Sequence, residues 1–325
     1  MERLFRTSLL PLQLGVGGNS CSLKNEDVDK FCSSVSADVK KLQQSLATGA
    51  VSLRWSMEAM SVLKKIHIEL LLLIERSRLP ISLDGEDWLD QYMKVTVMLL
   101  DFCNLLKSAI SGINRYRMMV DFTVRKLCDC DSGVAINRIE VERLERDSKK
   151  LYGNEKPRDV RLDELVVPKY KFKRKNGANP VIFAAKSAMI VISLLLVSAI
   201  VTPVLINMDE GVPNEISQLK SLMQSIKTLV SCFHEMIPKP GEDPRLVLAE
   251  NVMIESVVAD LKAQVAEGVV EDGDKFLKGV DLLKKRSSAL KEGIDMFDSI
   301  VSDVFEEVIK GRNKVLGMLN PSKET

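Results

Sequence analysis

The sequence is poor in the residues that build catalytic and metal sites. Histidine occurs twice in 325 residues, as His67 and His234, and neither has a neighbour at ligand spacing. The six cysteines, Cys21, Cys32, Cys103, Cys128, Cys130 and Cys232, form no CxxC pair. A structural zinc site needs four ligands at defined spacing, so no metal ligand is assigned. Reduced, mostly buried thiols are the expectation. A Ser-His-Asp arrangement needs a histidine placed to serve the serine. His67 lies in a Leu-rich stretch and His234 near the end of another, so both read as structural. Gly15-Val16-Gly17-Gly18 has no preceding strand and no following GK[ST], and reads as a flexible tail rather than a phosphate loop. The sequence therefore offers no catalytic residue, no cofactor-binding residue, and no small-molecule ligand. The expectation is a protein that is not an enzyme.

Aromatic residues are also scarce, at 5%, which is low for a β-sandwich and ordinary for bundles built on Leu, Val, Ile and Met. Neither sign of charge dominates: Lys and Arg total 46 against 45 Asp and Glu, so no global field recruits nucleic acid. With 46% hydrophobic and 28% charged residues, the chain is of folded composition and long enough to bury a sizeable core. The first two dozen residues carry Arg3, Arg6, several Ser and one acid, Glu2. That loosely resembles a transit peptide. It is short of basic residues and lacks the apolar core of a secretory signal, so a frayed terminus is preferred.

What is present is helical periodicity. From Asn25 to Leu46 the apolar residues Val28, Phe31, Val35, Val39, Leu42 and Leu46 step by three or four. A second helix is expected from about Ser52 to Arg76, ended by Leu79-Pro80-Ile81. The third carries Trp88, Tyr92, Val95, Leu99, Phe102, Leu106, Ala109, Ile113, Tyr116, Val120, Thr123 and Leu127 in alternating steps of four and three. This heptad stripe predicts a helix about 60 Å long, with Gly112 a place to kink it. Lys94 and Lys107 fall off the stripe and are expected to matter little. Charges of alternating sign from Arg138 to Lys150 predict a short solvated helix. Helices are expected again at about 213–237 and 244–267. A last one follows Asp272-Gly273, with Val280, Leu283, Ser287, Leu290, Ile294, Phe297, Val301, Val304 and Val308 as a second heptad stripe.

Between the helical halves lie two unusual segments. Residues 153–186 form a connector holding the run Lys169, Tyr170, Lys171, Phe172, Lys173, Arg174 and Lys175. Beside an apolar segment, Lys169, Lys171, Lys173, Arg174 and Lys175 are candidate contacts for anionic lipid headgroups, with a solvated linker as the plainer alternative. Residues 187–208 then carry no charge. As a helix, 187–206 would span about 30 Å, the hydrocarbon thickness of a bilayer. Six Lys or Arg precede it between 168 and 186, and Lys220 alone follows between 207 and 226. If it spans, that asymmetry puts the N-terminal half in the cytosol. The competing arrangement is a central, wholly buried helix, because a spanning one would separate the two heptad stripes by a membrane. The fold expected is thus all-α: a long-helix bundle with heptad-patterned helices and a central apolar helix that either spans or is buried. Its regions are a tail at 1–24, helical halves at 25–152 and 209–325, the connector at 153–186, and the apolar segment at 187–208.

The words Glu86-Asp87-Trp88-Leu89-Asp90-Gln91-Tyr92-Met93 and Leu99-Leu100-Asp101-Phe102-Cys103-Asn104 resemble a plant family, the Bypass proteins. So do Ser108 to Leu127 and the opening Ser52 to Met60. The order of helical half, apolar segment and helical half is similar too. The resemblance implies a regulator of plant development that restrains a root-made mobile signal arresting shoot growth. It brings no activity, ligand or functional residue. The two heptad stripes, the basic run beside an apolar segment and the lack of an active site suggest a membrane-associated regulator that works through protein partners, as Bypass proteins do. The alternative is a cytosolic scaffold or vesicle-tethering accessory with 187–206 as bundle core. An enzyme acting on the mobile signal is a third reading, and it requires a deep polar pocket.

Overall fold

The computed structural model of the protein describes residues 25–47, 49–77, 88–128, 134–153, 179–202, 204, 206, 217–237, 248–266 and 273–319. Among the described residues there are eight α-helices and no strand. They are α1 (Asn25–Ala47), α2 (Leu53–Ser77), α3 (Trp88–Cys128), α4 (Val134–Gly153), α5 (Asn179–Ile200), α6 (Ser217–His234), α7 (Ala249–Ala266) and α8 (Gly273–Leu319). The ends carry ordinary helix chemistry. Ser52 Oγ accepts a hydrogen bond from Trp55 N at 3.2 Å, capping α2. Glu26 and Asp27 occupy the first turn of α1, and Arg125 and Lys126 the last turn of α3, each sign complementing the helix dipole.

The two heptad stripes bury themselves as expected. Every predicted stripe residue of α8 is in the core, and so is every one of α3 except Ala109, which is half-buried. The stripes meet. Lys107 of α3 reaches Ser302 Oγ of α8 at 2.7 Å, Arg312 reaches the carbonyl of Met93 at 2.9 Å, and Ser287 donates to Asp121 at 2.5 Å. One residue number rises as its partner falls, so the pair is antiparallel. α2 lies along α8 and parallel to it, with Leu53 against Gly293 and Glu75 paired to Lys314. The approach is close at Gly293, where a Cβ would come within 2.8 Å of Leu53 Cδ1 and push that side chain aside.

α1 closes over α2, where Trp55 Nε1 donates to the Leu42 carbonyl at 3.2 Å and Lys65 pairs with Asp38. α1 is in turn covered by α6, with Ser36 and Ser225 hydroxyls 2.9 Å apart. Helices from both halves of the sequence therefore share one core. α5 sits inside it, packed on α1, α2, α3 and α6. The most apolar stretch of α5 is 94% buried. In the structure α5 is enclosed by other helices, as a core helix would be. By length and composition alone, α3 and α5 are each still long and apolar enough to cross a membrane.

Two expectations need correction. The apolar segment is not one helix over 187–206. α5 begins eight residues earlier and stops at Ile200. Thr202 N reaches back to the Val197 carbonyl at 3.0 Å and Val204 N to Ser198 Oγ at 3.1 Å, which satisfies the helix end. The residue before a proline disfavours the α region, and Pro203 follows. The second correction concerns α4, which is not solvated all round. Glu140, Val141, Leu144 and Ser148 are buried against α3 and α7. Its charges are answered across helices, Glu140 by Lys126 and Glu145 by Lys262, both close to 2.5 Å. Alternating sign marked an exposed helix in the sequence, but the same pattern also serves interhelical pairing.

Candidate functional site

A polar seam lies in the core where His67 of α2 and Tyr92 of α3 meet α8. Gly311 continues the α8 stripe after Val308, at the position where a side chain would enter the core. A Cβ there would lie 2.6 Å from His67 Cε1 and 2.8 Å from the Tyr92 hydroxyl, so only glycine lets these side chains in. His67 Nε2 and Tyr92 Oη are 3.1 Å apart, both fully buried. Burial pushes His67 down to about 4, and pushes the Tyr92 phenol up. Both are therefore neutral near pH 7. His67 Nδ1 is buried without a hydrogen-bond partner. Beside them, Arg312 donates to the Met93 carbonyl and, at 2.6 Å, to Thr96 Oγ1. The Thr96 hydroxyl donates in turn to the Tyr92 carbonyl at 2.8 Å. The His67–Tyr92 and Arg312 contacts hold one helix against another, and the Thr96–Tyr92 bond lies within α3. A histidine that is neutral and sealed from water does not serve a solvent-borne substrate.

A cleft of about 580 Å³ lies between the α1–α2 turn and the start of α7, lined in part by Ser45, Trp55, Glu58, Glu250 and Met253. Its carboxylates are occupied. Glu250 accepts from Leu53 N at 3.0 and 3.2 Å, at the α2 N-terminus. Desolvation raises its pKa nonetheless. Glu58 accepts from Ser45 Oγ at 2.7 Å. The helix N-terminus that could take an anion is already filled by the chain's own carboxylate.

The two fully buried thiols are poor nucleophiles. Burial pushes Cys32 and Cys103 up to about 12, leaving them protonated. Among the described residues, no group of three or more His, Cys, Asp or Glu is placed to hold a metal ion. The candidate headgroup contacts Lys169, Lys171, Lys173, Arg174 and Lys175 lie outside the described residues, as do Cys21 and Cys130. The sequence reading gave His67 a structural role, which agrees with its position, but it passed over Arg312 and Gly311. The available signal was a glycine standing at a stripe position between Val308 and Val315.

The fold and its polar seam define a class: an all-α bundle in which His67, Tyr92, Thr96 and Arg312 join three helices. No protein-family model matches the chain. It is similar to Protein BPS1, chloroplastic, of Arabidopsis thaliana, with 22% identity over 297 residues, 89% of this chain and 82% of that protein. The Bypass resemblance carried by residues 52–127 therefore extends along most of the sequence. It is also similar to UPF0496 protein 4 of Oryza sativa, in both subsp. indica and subsp. japonica, with 27% identity over 119 residues. That match takes in 36% of this chain and 26% of each rice protein. No solved structure matches.

Proposed function

We propose that the chain is a non-enzymatic, Bypass-like regulator of plant development that works by presenting the outer faces of a helical bundle to protein partners. The observation that carries this reading is the employment of the polar groups at the core seam and the cleft. His67 and Tyr92, both buried, and the half-buried Arg312, Glu250 and Glu58 are committed to helix–helix or helix-end contacts, and the buried thiols of Cys32 and Cys103 are protonated. Similarity to Protein BPS1 along most of the chain supports the developmental role. In this reading the protein restrains a root-made mobile signal. Grafting tests it: rootstocks lacking the protein should arrest wild-type shoots, and the reciprocal graft should grow normally. Shoot growth that ignores the rootstock genotype would overturn the proposal.

Membrane action, in this reading, is at the surface. Spanning would require α5 to leave α1, α2, α3 and α6, exposing their apolar faces. The excess of Lys and Arg before α5 then serves headgroup contact through Lys169, Lys171, Lys173, Arg174 and Lys175, rather than orientation across a bilayer. Alkaline carbonate should release the protein from plant membranes, and retention in the pellet would restore the spanning reading with its cytosolic N-terminal half. The relative's name carries the word chloroplastic. A fluorescent fusion to the C-terminus would show whether this chain shares that address.

A further inference from the structure

A second surface, built on regular helices and separate from the connector, has the chemistry of a membrane-docking face. Between Ser108 and Cys128, α3 has Arg115, Arg117, Arg125 and Lys126 against one acid, Asp121. Asp121 and Arg117 pair with each other, and Asp121 also accepts from Ser287. That leaves Arg115, Met118, Phe122 and Arg125 on the outward side at helical spacing. Met118 is 58% exposed and Phe122 45%. Arg115 and Arg125 are exposed and make no ion pair among the described residues. Lys126 Nζ lies 4.8 Å from the centre of the Phe122 ring, so a cation and an aromatic face share one spot.

α4 extends this face. It runs antiparallel to α3, held by Lys126 on Glu140, and exposes Ile139, at 58%, and Arg143. The nearby acids of α4 are engaged elsewhere, Glu142 by Arg138 and Glu145 by Lys262. On the other flank, Ser287 fixes α8 beside this part of α3. Between 281 and 291 α8 has Lys284, Lys285, Arg286 and Lys291 and one acid, Asp281. The chain as a whole is close to neutral, at +1, so this positive concentration is local.

We propose that the outer face of α3 from Arg115 to Arg125, with Ile139 and Arg143 of α4, docks on an anionic lipid bilayer. The combination of chemistries selects this occupant. Basic side chains alone would suit any polyanion. Unpaired arginines interleaved with an exposed Met, Phe and Ile match the boundary between headgroups and acyl chains, where apolar tips enter and guanidinium groups stay with phosphate. A nucleic-acid surface would gain nothing from Met118 or Ile139. The face deepens the reading of surface association given above, but does not depend on the connector.

Flotation of the full chain with vesicles of phosphatidylcholine and about 30% phosphatidylserine tests it. Arg115→Glu, Arg125→Glu and Arg143→Glu together should lower partitioning at least tenfold. Met118→Ser with Phe122→Ser should lower it severalfold, at high salt as well as low. A third variant converts Lys169, Lys171, Lys173, Arg174 and Lys175 to Gln. If only that variant loses binding, the connector reading stands and this proposal falls. If the Glu variant loses binding to short RNA and to vesicles alike, while the Ser variant binds normally, the face is a general polyanion site and the proposal again falls. Should the Glu variant melt lower than the parent, the three corresponding Gln substitutions take its place, with at least a fivefold loss expected. Unchanged flotation of the Gln set overturns the proposal.

Discussion

α5 and α8 are both long helices rich in Val, Leu and Ile, yet they are buried in opposite ways. α8 keeps one stripe in the core and turns charged residues outward along all 47 of its residues. α5 has no outward side: from Ser187 to Ile200 every residue is buried, including Ser187, Ser193 and Ser198. The difference lies in the period of the sequence. A strict three-and-four alternation names a face, and a helix with a face can lie at the rim of a bundle. A helix apolar all round must be surrounded, by lipid or by other helices, and periodicity does not distinguish these. Here α1, α2, α3 and α6 do the surrounding.

The comparison breaks most sharply by placing one charge in each helix. Leu195 of α5 is fully buried, whereas Leu282 of α8 is exposed. Leu195→Lys puts an ammonium among side chains that offer no partner. The penalty of several kcal/mol consumes much of the 5–15 kcal/mol by which domains are stable, so the variant should not accumulate as a folded monomer. Leu282→Lys should change stability by less than about 0.5 kcal/mol. Circular dichroism and gel filtration read both outcomes. A normally folded Leu195→Lys protein would mean that α5 is not enclosed as described.

The stripe of α8 is tested next. Phe297 is fully buried at the centre of the α8 stripe, and truncation to Ala should destabilise by about 3–5 kcal/mol through lost burial and a cavity. Its neighbour Met296 points to water, and Met296→Ala should be nearly silent. Equal urea midpoints for the two would refute the assignment of the face.

The same reasoning explains what was legible in advance. The α3 and α8 stripes could be read because each buried position repeats every seven residues, and Gly112 does not interrupt α3, which is one helix from Trp88 to Cys128. Which stripe would meet which was only inferred, since pairing is a property of two helices and periodicity of one. α4 was misread because alternating charge does not reveal whether its partners are solvent or Lys126 and Lys262. The end of α5 at Ile200 was hidden because the apolar run continues past it to Ile206. Of the polar seam, His67 and Tyr92 lay in plain sight within apolar stretches, but the glycine that admits them sits more than 200 residues away.

That seam gives the third prediction, a pH dependence. His67 has a folded pKa near 4, below its ordinary 6.5, so the unfolded chain binds the proton more tightly. Its contribution to stability is fully present above pH 6.5 and is lost as pH falls towards 4. Lowering the pH from 7 to 5 should remove about 2 kcal/mol. Glu250, raised by burial, works the other way: its contribution is present at low pH and lost as pH rises through its folded value. The comparison of parent with His67→Gln isolates the histidine, because Glu250 is common to both. The parent's melting temperature should fall more steeply than the variant's over that interval, and parallel curves would mean that His67 is hydrated.

The smallest effect concerns the rim of the α3–α8 pair, where the sequence treated Lys94 and Lys107 as equivalent. They are not. Lys94 pairs at 2.7 Å with Asp90, one turn back on its own helix, in an exposed position. Lys107 is half-buried and crosses to α8, where Ser302 Oγ is 2.7 Å and Asp298 3.4 Å away. A pair within one helix adds a few tenths of a kcal/mol and says nothing about which helix lies opposite. A pair across helices fixes the relative position of two long stripes, which otherwise tolerate a slip by one heptad. Lys94→Ala should therefore cost less than about 0.5 kcal/mol, and Lys107→Ala up to about 1 kcal/mol, with coupling to Ser302→Ala in a double-mutant cycle. The absolute values are close, so the coupling is the decisive reading. Zero coupling would mean that the register of α3 on α8 is set by Leu99, Leu106, Phe297 and their apolar neighbours alone. A coupling of about 0.5 kcal/mol or more would mean that a polar contact at the rim helps choose the register that the buried stripes then hold.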